Sequence, residues 1–127
     1  MKIYSSEKAP KAIGPYSQAI RTGNLLFCSG QVPLDPETMN IVGENVEEQT
    51  AQVFKNIKGF LSDQGLTVQN VVKTMVFLKD MNDFTTFNGI YEAEFEGHKP
   101  ARSCVEAARL PKDVLVEIEC IAEFPNS

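Results

Sequence analysis

The sequence predicts an α+β domain: a mixed β-sheet with two helices packed on one face. Three observations predict it. Residues 46–64 and 84–96 carry apolar side chains at helical spacing, and each run stops at a glycine. The segments around them are strand-length runs of alternating or β-branched residues. The order is strands, helix, strand, helix, two strands, which is that of a sheet carrying its helices on one side.

The N-terminal residues 1–18 begin extended, because Ala9-Pro10 and Gly14-Pro15 break any helix. Gly14-Pro15 is a rigid approach that presents Tyr16 in a defined place. Residues 17–22 and 25–29 read as two strands around Gly23-Asn24, a recognised hairpin link. At Ser29-Gly30 the glycine lets the backbone approach another group closely, either a ligand or a packed chain. Residues 33–45 read as a loop.

The first helix spans residues 46–64. Asn45 with Glu48 three residues on resembles a capping box. Val46, Val53, Phe54, Ile57, Phe60 and Leu61 form its apolar stripe, so its aromatics are core. Residues 71–79 carry apolar side chains at both parities and read as a central strand covered on both faces. A second helix over residues 84–96, capped by Asn82 or Asp83, presents Phe84, Phe87, Tyr91 and Phe95. Gly89 interrupts it at a cost of ~1 kcal/mol, which suggests tight packing there. Asn88 is polar beside that stripe.

The C-terminal stretch from Pro100 to Ala122 reads as two strands joined by a tight turn at Leu110-Pro111-Lys112-Asp113. Arg102, Cys104 and Glu106 share one strand face; Val114, Val116, Ile118 and Cys120 share another, opposite Glu117 and Glu119. Arg102 sits among small residues, and its planar fork suits a carboxylate. Glu117 lies in an apolar run that would raise its proton affinity toward general-base use, while Glu119 reads as solvated. If Pro111-Lys112 is a two-residue loop, Glu117 lies opposite Glu106 on the Arg102 face; a shift of one residue reverses this. Cys104 stands two residues from Arg102, whose charge would lower a thiol pKa.

Bulk properties narrow the function. A chain of 127 residues suits one domain over residues 1–127. No apolar run approaches the ~20 residues of a membrane span. Met1-Lys-Ile-Tyr-Ser-Ser-Glu-Lys lacks the apolar core of a signal peptide, so a cytoplasmic protein is expected. A net charge of −5 argues against avid nucleic-acid binding. Cys28, Cys104 and Cys120 are widely spaced, and His98 is the only histidine. That excludes the usual zinc spacings and leaves reduced thiols as the expectation. The sheet face away from the helices has nothing in the chain to cover its apolar residues, which predicts oligomerisation.

Ala12-Ile-Gly-Pro-Tyr-Ser-Gln18, Cys28-Ser-Gly-Gln-Val-Pro33, Asn70-Val-Val-Lys-Thr-Met-Val-Phe-Leu-Lys-Asp80, His98-Lys-Pro-Ala-Arg-Ser-Cys104 and the later Val-Glu-Ile-Glu run closely resemble, in order, the blocks of the RidA/YjgF family of reactive-intermediate deaminases. The resemblance covers nearly the whole chain. It implies a chorismate-mutase-like fold assembled as a homotrimer, with a ligand cleft at each subunit interface. It implies hydrolysis of enamines and 2-imino acids, such as 2-iminobutanoate and 2-iminopropanoate, to 2-keto acids and ammonia without metal or cofactor.

Residue by residue, the resemblance implies that Arg102 anchors the carboxylate and Glu117 orients water. Tyr16 and Ser29 would bond the substrate or its adduct. Gly30, the main chain of Cys104, Asn88 and Phe84 would line the cleft. Cys28 and Val32 fall where relatives vary. Two other readings stand beside the deaminase. One is a non-enzymatic sensor that binds 2-keto acids with the same Arg. The other is an endoribonuclease or translation inhibitor, a role carried by some relatives and disfavoured by the acidic charge. A chaperone role is also attached to relatives, and no residue here addresses it.

Overall fold

The computed structural model describes residues 1–125. Eight regular elements follow in order: β1 (Lys2–Tyr4), β2 (Ala19–Thr22), β3 (Leu25–Gln31), α1 (Val46–Asp63), β4 (Val71–Leu78), α2 (Phe84–Glu94), β5 (Ala101–Glu106) and β6 (Val116–Glu123). They form one six-stranded mixed sheet in the order β1-β2-β3-β6-β4-β5. Only β4 and β5 run parallel. Both helices contribute to one core on one side of this sheet, built from Val53, Phe54, Ile57 and Leu61 of α1, Phe87 and Tyr91 of α2, and Val76, Ile118 and Cys120 beneath.

The expected β2–β3 hairpin is present, with Thr22 paired to Leu25 across Gly23-Asn24 and Gly23 at φ 58°. The Asn45 cap is also present: its side chain accepts from the Glu48 amide at 2.8 Å. The return bond goes to the Glu44 amide rather than to Asn45. The α2 cap differs from expectation. Asp83 makes no side-chain cap bond, and Asp80 instead caps the 3₁₀ turn that leads into the helix. Gly89 is exposed, and a Cβ there would meet open space, so the tight packing expected around it is absent.

The C-terminal hairpin is the main correction. β5 and β6 are not neighbours; β4 lies between them. The connection of residues 107–115 is longer than a tight turn and wraps the end of β4, with the Ala107 amide on Leu78 O and the Lys79 amide on Leu115 O. Lys112 and Asp113 take left-handed φ values of 55° and 59° to make that wrap. Alternation identifies a strand and its faces but not its neighbours. The turn residues are compatible with either route.

The register follows from this insertion. Thr74 of β4 is aligned with Arg102 on one side and with Cys120 on the other. Phe77 is aligned with Glu117, while Glu106 and Val116 both align with Leu78. Aligned residues share a face. Arg102 therefore lies on the helix-covered face and Glu117 on the other, which reverses the placement a two-residue loop would give.

That other face is open. In β4 the alternate residues Thr74, Val76 and Leu78 are buried, but Lys73, Met75 and Phe77 are only half-buried. The strand expected to be covered on both faces is thus covered on one. Ile20, Phe27, Met75, Phe77 and Ile121 line a shallow hollow of about 540 Å³ on the open side. Phe27 is 42 % exposed there.

Candidate active site

Arg102 belongs to edge strand β5 and is half-buried against α2. Its Nη1 donates to Asn88 Oδ1 at 2.7 Å. Its guanidinium carbon lies 5.5 Å from the Phe84 ring centre and 4.8 Å from that of Tyr91. Among the described residues the ion pairs are Lys8–Asp63, Lys58–Glu94 and Arg109–Asp113. Arg102 takes part in none of them. A half-buried cation held by aromatic faces and one amide, without a carboxylate, is a ready anion receptor.

Cys104 follows Arg102 on the same face and is half-buried. Burial pushes its thiol pKa up, and the Arg102 charge only partly opposes this. The expected lowering is therefore reversed, because desolvation of a thiolate outweighs one nearby cation. The sulfur is a poor nucleophile in this setting.

The second group gathers on the other side of the sheet. β3 and β6 leave register between Cys28 and Gln31, and Ser29-Gly30 occupy that irregularity. The Glu117 carboxylate lies against Gly30: a Cβ on Gly30 would collide with Oε2 and the carboxyl carbon. The close approach read from the sequence is to a side chain of the same subunit. Burial raises the Glu117 carboxyl above the ordinary glutamate value, and the charge of Glu119 adds to this. Glu119 is exposed, as alternation predicts.

Tyr16 and Ser29-Gly30 line one cavity of about 220 Å³, walled by Ile13, Val32 and Met39. Tyr16 is 54 % exposed. Its amide donates to Gly14 O at 2.9 Å, which makes the tight Gly-Pro-Tyr approach. The Ser29 hydroxyl donates to Ser17 O at 2.6 Å, so its oxygen keeps lone pairs for a ligand donor.

Three supporting residues were not singled out from the sequence. Buried Gln18 takes the Ser6 amide on Oε1 and donates to Ser6 O and Pro10 O. It thereby ties down the arm that carries Tyr16. Thr74 and Tyr91 sit beneath Arg102, joined by a 2.7 Å hydroxyl–hydroxyl bond. Their signal was available only in part. Tyr91 lies three residues after Asn88 on α2, so the two share a side of the helix. Nothing in the strand pattern pairs Thr74 with Arg102. The lone His98 is structural, with Nε2 2.6 Å from Val71 O.

The predicted residues thus divide. Arg102, Asn88, Phe84 and Cys104 form one cluster on the helix side. Tyr16, Ser29 and Gly30 form another, and Glu117 meets this group through its contact with Gly30. Arg102 and Asn88 line one cavity, and Tyr16 with Ser29-Gly30 lines another. Among the described residues no group of three His, Cys, Asp or Glu side chains could hold a metal ion. No described helix is long and apolar enough to cross a membrane.

The chain is thus a one-sheet α+β protein with an arginine outside any ion pair on one face and a half-buried glutamate on the other. The family model described as Endoribonuclease L-PSP matches residues 6–124, and the chain belongs to this family, the RidA/YjgF proteins. It is 57 % identical to a RutC family protein of Synechocystis over 99 % of this chain and 98 % of the relative. It is 52 % identical to a 2-iminobutanoate/2-iminopropanoate deaminase of Salmonella typhimurium over 95 % of this chain and 96 % of the relative. The crystal structure of E. coli TdcF with bound serine superposes with a TM-score of 0.92 at 43 % identity, covering 98 % of this chain and 100 % of TdcF.

Proposed function

We propose that the protein hydrolyses enamine-derived 2-imino acids, such as 2-iminobutanoate and 2-iminopropanoate, to 2-keto acids and ammonia. The carrying observation is the division of the site. A carboxylate receptor built on Arg102 and a raised carboxyl built on Glu117 lie on opposite faces of one sheet. A second copy can bring its own Glu117 cluster against the Arg102 edge. The proposed assembly is a homotrimer, whose open apolar sheet faces cover one another and whose clefts each combine two subunits. Relatives of about 50 % identity named as deaminases of this kind support the reading.

In this reading Arg102 takes the substrate carboxylate in a two-pronged grip, with Asn88 and Phe84 fixing the cleft wall. Glu117, ionised, holds a water at C2 and takes a proton from it as the water oxygen bonds to that carbon and the C=N π pair moves to nitrogen. That proton passes on to the imine nitrogen to give the amino alcohol, regenerating the carboxylate; the hydroxyl proton then follows it to nitrogen, the C–N bond breaks, and ammonia leaves as the C=O bond forms. Tyr16 and Ser29 hydrogen-bond the tetrahedral adduct, and the main chain of Cys104 borders it. No metal or cofactor is needed for these steps. The family description names an endoribonuclease, but the net charge of −5 works against phosphate contacts.

The test generates 2-iminobutanoate in situ with a threonine dehydratase and a semicarbazide trap. Diversion of imine from the trap by wild type, and loss of this in Arg102→Ala, is the expected result. If wild type diverts none but still binds 2-ketobutyrate, the deaminase reading fails and a keto-acid sensor takes its place.

A further inference from the structure

Tyr91 takes no part in the proposed hydrolysis, yet it touches the residue that would anchor the substrate. It reaches from α2 to the sheet, and its hydroxyl meets Thr74 Oγ1 at 2.7 Å with both side chains buried. Burial raises the pKa of the phenol and outweighs the lowering effects of Thr74 and Arg102. Three aromatic rings confine it: Phe54 edge-on at 5.8 Å, Phe87 at 5.5 Å and Phe95 at 4.8 Å between centres. The Arg102 guanidinium rests over the Tyr91 ring at 4.8 Å. Thr74 is also the residue aligned with Arg102 across β4 and β5. The phenol is thus pinned to the strand beside the one that carries the arginine.

A long arginine side chain loses rotamer freedom when it grips a ligand, and the loss is smaller if its fork is already oriented. We propose that Tyr91, pinned by Thr74, is a positioning residue: its ring sets the plane and reach of the Arg102 guanidinium, so that the fork meets a carboxylate ready-aligned. This rests on the reading of Arg102 as the anchor. A Tyr91 that served only the core would affect stability and leave the fork alone.

The experiment compares wild type, Tyr91→Leu and Thr74→Val, with Tyr91→Leu repeated in an Arg102→Lys background. Two quantities are read. The first is rotation of the Arg102 guanidinium, followed by its side-chain ¹⁵N resonances without any ligand. The second is the dissociation constant for 2-ketobutyrate, with KM and kcat for imine hydrolysis beside it. Rotation should be slow in wild type and faster in Tyr91→Leu, with a smaller change in the same direction for Thr74→Val. Tyr91→Leu should raise the dissociation constant and KM about fivefold with kcat nearly unchanged, and have little effect when residue 102 is Lys.

Unchanged guanidinium rotation in the folded variants overturns the proposal, as does an equal effect of Tyr91→Leu in both backgrounds. If Tyr91→Leu does not fold, rotation and affinity in Thr74→Val decide. If wild type hydrolyses no imine, the deaminase reading falls while rotation and keto-acid affinity still decide the role of Tyr91. If it binds no keto acid either, rotation alone decides.

Discussion

Arg102 and Glu117 lie on opposite faces of one sheet, because β6 enters between β3 and β4 and aligns Glu117 with Phe77 while Arg102 aligns with Thr74. A site that uses both side chains on one small ligand therefore draws them from two copies. Subunit mixing tests this. Arg102→Ala and Glu117→Ala should each be inactive as pure assemblies. Unfolding the two together and refolding them as mixed assemblies should restore about a quarter of wild-type imine hydrolysis, since in the proposed shared cleft one interface in four pairs an intact Arg102 with an intact Glu117. No recovery in verified mixed assemblies would place both groups in one subunit and remove the shared cleft.

The arginine should be intolerant of its nearest chemical relative. Arg102→Lys keeps the charge but cannot span two carboxylate oxygens while also holding Asn88 Oδ1. The expected loss is about tenfold or more in affinity for 2-ketobutyrate, measured by calorimetry, with little change in thermal stability. Wild-type affinity in this variant would show that charge alone suffices.

Much of this arrangement is legible in the sequence, and the illegible part has a physical cause. The α1 stripe, the Gly23-Asn24 hairpin and the alternation in β6 follow from periodicities of a few residues, which depend on local backbone geometry. The uncovered sheet face also follows, because its apolar residues outnumber the elements available to cover them. Strand neighbours depend on how residues 107–115 travel in space, and turn chemistry at Leu110-Pro111 does not encode that. The face of Glu117 was lost with it, since one step of register reverses a strand's faces. Buried polar partners such as Thr74 and Gln18 are illegible for a similar reason: each bonds to a residue distant in sequence.

Glu117 links activity and stability to pH with opposite signs. Its carboxyl is raised in the folded protein by burial, with Glu119 adding to the effect. The folded state therefore binds this proton more tightly than the unfolded state. The stability it contributes is full below the ordinary glutamate pKa and is lost as pH rises through the raised value. The proposed hydrolysis needs the ionised form, so kcat/KM should fall as pH drops through that same raised value. Glu117→Gln should remove this limb of the pH profile, lower activity about a hundredfold, and raise the melting temperature at neutral pH. A lower melting temperature there would mean that the carboxylate is satisfied in the assembled protein.

Loop placement behind the cleft should depend on buried amides of α1. Asn56 Nδ2 donates to Val32 O at 3.1 Å and Leu34 O at 2.9 Å, and Gln52 Nε2 donates to Asn56 Oδ1 at 2.9 Å. Asn56→Leu would remove these three bonds while Val32 O keeps the Leu34 amide and Leu34 O keeps Gln52 Nε2, so the loss is that of the bonds themselves, about 1–3 kcal/mol for the set. Val32 lines the cavity beside Ser29-Gly30, so the loop's shift should also raise KM. Chemical denaturation and steady-state kinetics on the same variant check both effects.

Gly30 supplies the sharpest test of the glutamate's placement. A methyl group there would overlap the Glu117 carboxylate, and the carboxylate can escape only by rotating away from the Ser29-Gly30 backbone. Overpacking of this kind costs about 1–3 kcal/mol where neighbours cannot move. Here the neighbour is the end of a side chain, so the stability loss in Gly30→Ala should lie at or below the lower limit. Activity should suffer more, because any water that Glu117 holds in the proposed hydrolysis moves with it. Two comparisons separate the causes. Gly30→Ala should lower kcat by a factor similar to Glu117→Ala, and adding Gly30→Ala to Glu117→Ala should change kcat little further. Multiplying losses would mean that Gly30 serves the ligand directly, through its own backbone, rather than by making room for the carboxylate.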